Sequence, residues 1–192
     1  DEKEKPMKKF AILMANGCEE VEALTVVDIF RRAGETIDIL AVEDIDIVSS
    51  HNVKIRGDLL LSQADPEDYD LVVLPGGLPG AETLRDNPTV QKWLKHFDEN
   101  DKHIGAICAA PIALAAVGLI EDRKGTAYPG FAEDKYGTYL EDNVVVDGKL
   151  ITARGPALAM PFALELLRQV VGEDKMKEVA DGLLWPQLTG KA

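Results

Sequence analysis

The stretch HIGAICAAP, His103 to Pro111, decides how this chain folds. His103 to Ile107 reads as a buried strand, and from Ala109 to about Val117 the pattern turns helical. Cys108 stands at the join. Its small neighbours Ala106, Ala109 and Ala110 let the chain turn sharply, as a nucleophile elbow requires. Pro111 falls in the first helical turn, where its missing N–H costs nothing. A thiol so placed feels the positive end of the helix dipole, which favours thiolate, the reactive form. The plainer alternative is a small buried hydrophobe, the usual state of a single cysteine.

Outward from the elbow, short apolar runs alternate with helical patterns. Lys9 to Ala15 (KFAILMA) reads as a strand, Glu19 to Ala33 as a helix ending at Gly34, and Thr36 to Val42 as a second strand. Asp70 to Leu74 is a third strand, stopped by Pro75-Gly76-Gly77, and a helix over Val90 to Asn100 leads to His103. Val144 to Val146 and Leu150 to Ala153 form a hairpin about Asp147-Gly148. Helices over Ala157 to Val171 and Glu173 to Leu184 close the chain. The whole predicts one α/β domain, residues 7–186, with a mostly parallel sheet and helices on both faces. Sites in such sheets gather at the carboxyl ends of the strands. Asp1 to Pro6 is charged and poor in apolar residues, unlike a signal or transit peptide. It reads as a leader or expression remnant before an initiator Met7.

Composition excludes several classes. In 192 residues, 34 Asp and Glu face 21 Lys and Arg, a net charge of -13, with no basic stripe to attract a phosphate backbone. No nucleic acid partner is expected. Two cysteines cannot frame a chain this long, and the dispersed His51, His96 and His103 form no ligand set by spacing. No metal and a reducing, cytoplasmic setting are expected. Ile104 to Ile120 carries no charge, but Gly105, Pro111 and Gly118 interrupt it. It reads as a buried strand and helix, with no membrane span.

Glu22 shares a helical stripe with Val26, Ile29 and Ala33. It is either half-buried and partnered or at the edge of that stripe; burial would keep it protonated near neutrality, able to hydrogen-bond a thiolate. Glu19 and Glu20 suit the helix start, and Arg31 and Arg32 its negative end. The turn from Pro75 to Gly80 is either a tight connection or a set of free amides that hold an anion. It is no dinucleotide fingerprint, and Glu19 and Glu20 would repel a pyrophosphate. Cys18 reads as a loop residue.

The order G-C-E-E-V-E, V-V-L-P-G-G, A-I-C-A-A-P and A-R-G-P resembles the ThiJ/PfpI superfamily, in its DJ-1 branch, from about Lys8 to Leu184. The resemblance implies a flavodoxin-like three-layer fold, a homodimer and no cofactor. It assigns Cys108 as the reactive cysteine, Glu22 as its hydrogen-bonded acid, and the amides of Gly77 and Ala109 as an oxyanion hole. Gly76 and Tyr128 would line a substrate pocket. Two positions depart from the pattern. Ala109 replaces the histidine that follows the nucleophile in the protease-like branch, which disfavours a Cys-His peptidase or amidase. Tyr128 precedes Pro129 where many relatives carry a histidine. The activity implied is glyoxalase- or deglycase-like, on aldehydes such as methylglyoxal or on glycated thiols and amines. A redox sensor or redox-regulated chaperone using the same cysteine is the alternative.

Overall fold

A computed structural model describes residues 8–190; the readings of Asp1 to Pro6 and Met7 lie outside them. Strand β1 (Lys9–Met14) leads into helix α1 (Glu20–Arg32) and β2 (Thr36–Ala41). A hairpin of β3 (Asp46–Val48) and β4 (Lys54–Arg56) follows, then β5 (Leu59–Leu60) and β6 (Leu71–Leu74). Helices α2 (Gly80–Asp86) and α3 (Pro88–Glu99) precede β7 (His103–Ile107) and α4 (Pro111–Ala116). The chain continues through β8 (Lys124–Gly125), β9 (Thr138–Tyr139), β10 (Val144–Asp147) and β11 (Leu150–Ala153). It closes with α5 (Ala159–Val170), α6 (Glu173–Gly182) and α7 (Trp185–Thr189).

Seven strands form the central sheet in the order β10-β11-β7-β6-β1-β2-β5, all parallel except β10. Strand alternation sends β1 side chains to two cores. Phe10, Ile12 and Met14 pack with α1, α5 and α6, while Ala11, Leu13 and Ala15 pack with α3 and α4. This is the mostly parallel, doubly covered sheet of a flavodoxin-like fold. Ile104 to Ile120 resolves into β7, the elbow and the six-residue α4, and no helix is long and apolar enough to cross a membrane.

Local chemistry sets the boundaries. The side chain of Glu19 caps α1, and Gly34 at φ +76° releases the chain after Ala33. Arg31 turns away from the helix end to donate to Ile37 O at 3.0 Å and Asp58 at 2.8 Å; Arg32 pairs with Asp28. Helix α3 starts before the expected Val90, because Asn87 accepts from Thr89 and Val90 and Pro88 fits the first turn. In the last hairpin Asp147 pairs with Leu150, so Gly148 and Lys149 make the turn.

Phe30 joins α1 to the sheet, fully buried and edge-on to Phe10 with ring centroids 5.2 Å apart. Phe30→Ala is expected to lose about 3–5 kcal/mol in urea unfolding; a loss under about 1 kcal/mol would mean that the site closes over the cavity.

Candidate active site

The carboxyl ends of β1, β6 and β7 lie side by side, and the loops leaving them build the site. Cys108 follows β7 in the left-handed region, φ +63°, a strained conformation for a residue with a side chain. Two backbone bonds hold it. Its N–H donates to Ala153 O and its carbonyl accepts the Tyr128 N–H, both at 2.9 Å. The elbow is thus tied to β11 on one side and to the loop after β8 on the other. The thiol is partly exposed and free.

Glu22 reaches the elbow from the first turn of α1 and is fully buried. Its place on the apolar stripe therefore means burial rather than an edge. Oε1 accepts the Gly76 N–H at 3.0 Å, and Oε2 has no nitrogen or oxygen partner. The remaining polar neighbour is the Cys108 thiol, close enough for a hydrogen bond with it to lower the Glu22 carboxyl and raise the thiol. Burial first, and the Glu19 carboxylate second, push the Glu22 carboxyl up to about 7.

The thiol does not follow the expectation drawn from the helix dipole. Burial and then the Glu22 carboxylate push Cys108 up to about 12, against the lowering effect of the Ala109 and Gly77 amides. Helix α4 is short and begins three residues later, so desolvation beside a carboxylate outweighs its dipole. The sign changes once Glu22 holds a proton: a neutral carboxyl donates to sulfur and no longer repels a thiolate. Cys108 and Glu22 therefore titrate as a pair.

Gly76 is the spacer of this pair. A Cβ there would lie 2.6 Å from the Cys108 Cβ, 2.7 Å from Glu22 Oε1 and 3.0 Å from the Ala109 nitrogen. Gly77 lies at φ +89°, and its amide, like that of Ala109, acts on the Cys108 thiol to lower its pKa. The loop carrying Tyr128 is fixed by Arg154, whose guanidinium donates to Ala127 O at 3.1 Å and Tyr139 Oη at 2.9 Å. Tyr128 meets the elbow through its backbone; its ring is 47% exposed beside Phe131. Neither Arg154 nor Gly76 as a spacer was singled out from sequence, because each role is a matter of contact distance.

Cys18 is buried in the β1–α1 turn, its thiol pushed up to about 12 by burial and then by Glu20. His51, on the β3–β4 turn, comes 2.8 Å from Glu20 and 3.8 Å from Glu19. One Glu19–Glu20–His51 group thus has donor atoms within 4.8 Å of one another, across a sequence gap that spacing did not reveal. Glu19 spends its oxygens on helix capping, accepting from Val21 and Glu22 at 3.1 Å each.

Gly76→Ala tests the spacing. The added methyl meets backbone and short side chains that cannot swing away, and overpacking of this kind costs about 1–3 kcal/mol. Slower alkylation of Cys108 and a lower melting temperature are expected; wild-type values for both would refute the crowding.

The DJ-1/PfpI family model matches residues 8–169. Protein DJ-1 homolog B of Arabidopsis thaliana is 38% identical over 92% of this chain. The chain spans less than half the length of the two Arabidopsis relatives, 41% and 46%. A Schizosaccharomyces pombe protein named glutathione-independent glyoxalase DJ-1 is 34% identical over 94% of this chain and 100% of its own length. The structure of Toxoplasma gondii DJ-1, oxidized, superposes with a TM-score of 0.88 at 35% identity, over 92% of this chain and 98% of that one. With the motifs of the elbow and the glycine turn inside the matched span, the chain belongs to the DJ-1/PfpI family.

Proposed function

We propose that this protein is a cofactor-independent glyoxalase- or deglycase-like enzyme that converts α-oxoaldehydes such as methylglyoxal to hydroxy acids. The observation that carries the reading is the buried Glu22 carboxyl beside a partly exposed Cys108, with a carboxyl pKa near neutrality. The glyoxalase name of the S. pombe relative supports it.

The Cys108 thiolate adds to the aldehyde carbon, and the carbonyl π electrons move to oxygen. The Ala109 and Gly77 amides, which act on the sulfur, would stabilise this developing oxyanion. Glu22 gives its proton to the oxyanion, leaving a hemithioacetal. As a carboxylate, Glu22 then takes the proton from the former aldehyde carbon and returns it to the neighbouring carbonyl carbon through an enediol, while the hydroxyl proton passes from the first oxygen to the second. The first carbon is oxidised and the second reduced, so no outside oxidant enters. The product is a lactoyl thioester on Cys108, which water hydrolyses to lactate and free thiol. Gly76 lets Glu22 and Cys108 approach each other, and the exposed Tyr128 would line the entrance. Glycated thiols and amines present the same hemiacetal-type carbon.

A redox sensor uses the same geometry differently. Cys108 is the reachable thiol and Cys18 is buried; the amides that act on the sulfur can also hold the oxygens of a sulfenic or sulfinic acid. The oxidized T. gondii structure favours keeping this reading. A homodimer is also proposed, consistent with exposed Val21, Val48 and Val53 on α1 and the β3–β4 hairpin.

Glu22→Gln separates the two. The amide can still hydrogen-bond Cys108 but cannot carry a proton between carbons, so methylglyoxal turnover should fall about 10²–10⁴-fold. Peroxide should still oxidise Cys108, as read by mass spectrometry. No turnover by wild type, with a stable oxidised Cys108 at low peroxide, would leave the sensor reading alone.

A further inference from the structure

Two carboxylates three residues apart at the start of α1 stand in opposite surroundings. Glu19 is 7% exposed, and its two oxygens accept from the Val21 and Glu22 amides. It also sits at the positive end of the helix. Glu22 has a single amide donor, from Gly76, and a second oxygen with no nitrogen or oxygen partner. A negative charge on Glu19 disfavours a second one on the buried Glu22. Two amides and the helix end stabilise negative charge at Glu19, whereas a single amide serves Glu22, whose carboxyl is raised by burial and by Glu19. Because Oε1 accepts from Gly76, a proton on Glu22 belongs on Oε2, the oxygen left without a partner.

We propose that Glu19 is a positioning residue for the reactive pair, its fixed negative charge keeping the proton on Glu22 and so the negative charge on Cys108. The inference rests on the Cys108–Glu22 proton pair of the proposed function, and on none of its aldehyde chemistry. The ionisable groups around the pair are Cys18, Glu19 and Glu20 at the start of α1, His51 from the β3–β4 turn, and Cys108 itself. Among the described residues no lysine or arginine forms a salt bridge with Glu19 or Glu22. His51 is 69% exposed at its side chain and lies nearer to Glu20, so water screens what it offers Glu19. The repulsion of Glu22 by Glu19 has the required sign, raising the Glu22 carboxyl.

The one-proton pair has two arrangements, neutral Glu22 with thiolate and carboxylate with thiol. Glu19 disfavours the second, because it places two carboxylates together. Their ratio does not depend on pH, so removing the Glu19 charge should lower the thiolate fraction across the neutral range. Glu19→Ser supplies a preferred uncharged helix cap, and Glu19→Gln keeps an acceptor oxygen. Both should reduce the thiolate ultraviolet absorbance, measured against Cys108→Ser, and slow iodoacetamide alkylation of Cys108 about tenfold, equivalent to about one pKa unit. Glu19→Asp, which keeps cap and charge, should stay near wild type. If one neutral variant fails to fold, the other carries the test. Wild-type absorbance and alkylation in a folded neutral variant overturn the proposal. So does a loss in Glu19→Asp as large as in Glu19→Ser, since shape rather than charge would then be at work. Alkylation needs no aldehyde, so this result is separable from any failure of methylglyoxal turnover.

Discussion

The contact between a buried carboxyl and a thiol forced into a left-handed turn organises the rest of the molecule. Cys108 at φ +63° is held by backbone bonds from β11 and the loop after β8, so two further elements must be in place before the thiol is presented. Glu22 arrives on a different helix, and its carboxyl is desolvated only because α1 lies flat against the sheet through Val26, Ile29 and Phe30. Gly76 sets the gap between them, since a single methyl would collide with both. The order β7-β6-β1 supplies these three pieces at one end of the sheet. Packing on the α1 face is therefore a condition of the proposed chemistry as well as of stability.

The same arrangement explains why a helix dipole alone does not make this cysteine reactive. A dipole end in partial contact with water contributes less than about 2 kcal/mol. Burial beside an ionised carboxylate works against it and carries the thiol to about 12. What reverses the balance is a proton on Glu22. In the proposed function reactivity thus belongs to the pair rather than to the cysteine alone.

The sheet and its main helices were legible because both signals are local: runs apolar on both faces mark covered parallel strands, and caps such as Glu19 and Gly34 mark helix ends. Strand β7 has the expected bounds, and the elbow lies where small residues meet a proline. The short strands β3, β4, β5, β8 and β9 were not read, because two or three half-exposed residues carry no periodicity. Helix α2 was hidden by its glycine start and short length. In the site, Cys108 and Glu22 stood out by their positions on a turn and a stripe. The thiol's direction of shift did not, because desolvation depends on the far side of the fold. Nor did the spacer role of Gly76, the part played by Arg154 or the approach of His51 to α1, each of which joins residues distant in sequence.

The placement of the histidines narrows the chemistry further. His103 begins β7, at the opposite end of that strand from the elbow, and His96 lies on α3. His51 pairs with Glu20 and not with the thiol. The titratable side chain that acts on Cys108 is Glu22. A Cys-His mechanism needs an imidazole within hydrogen-bond reach of sulfur, to take a proton and return it to a leaving amine. A carboxyl near neutrality can instead act in both directions on the substrate's own carbon-bound proton. An isomerisation of two adjacent carbons asks for that shuttle, with no amine to expel. In the proposed function the site works by proton transfer within one bound molecule, and its acid doubles as the group that keeps the nucleophile charged.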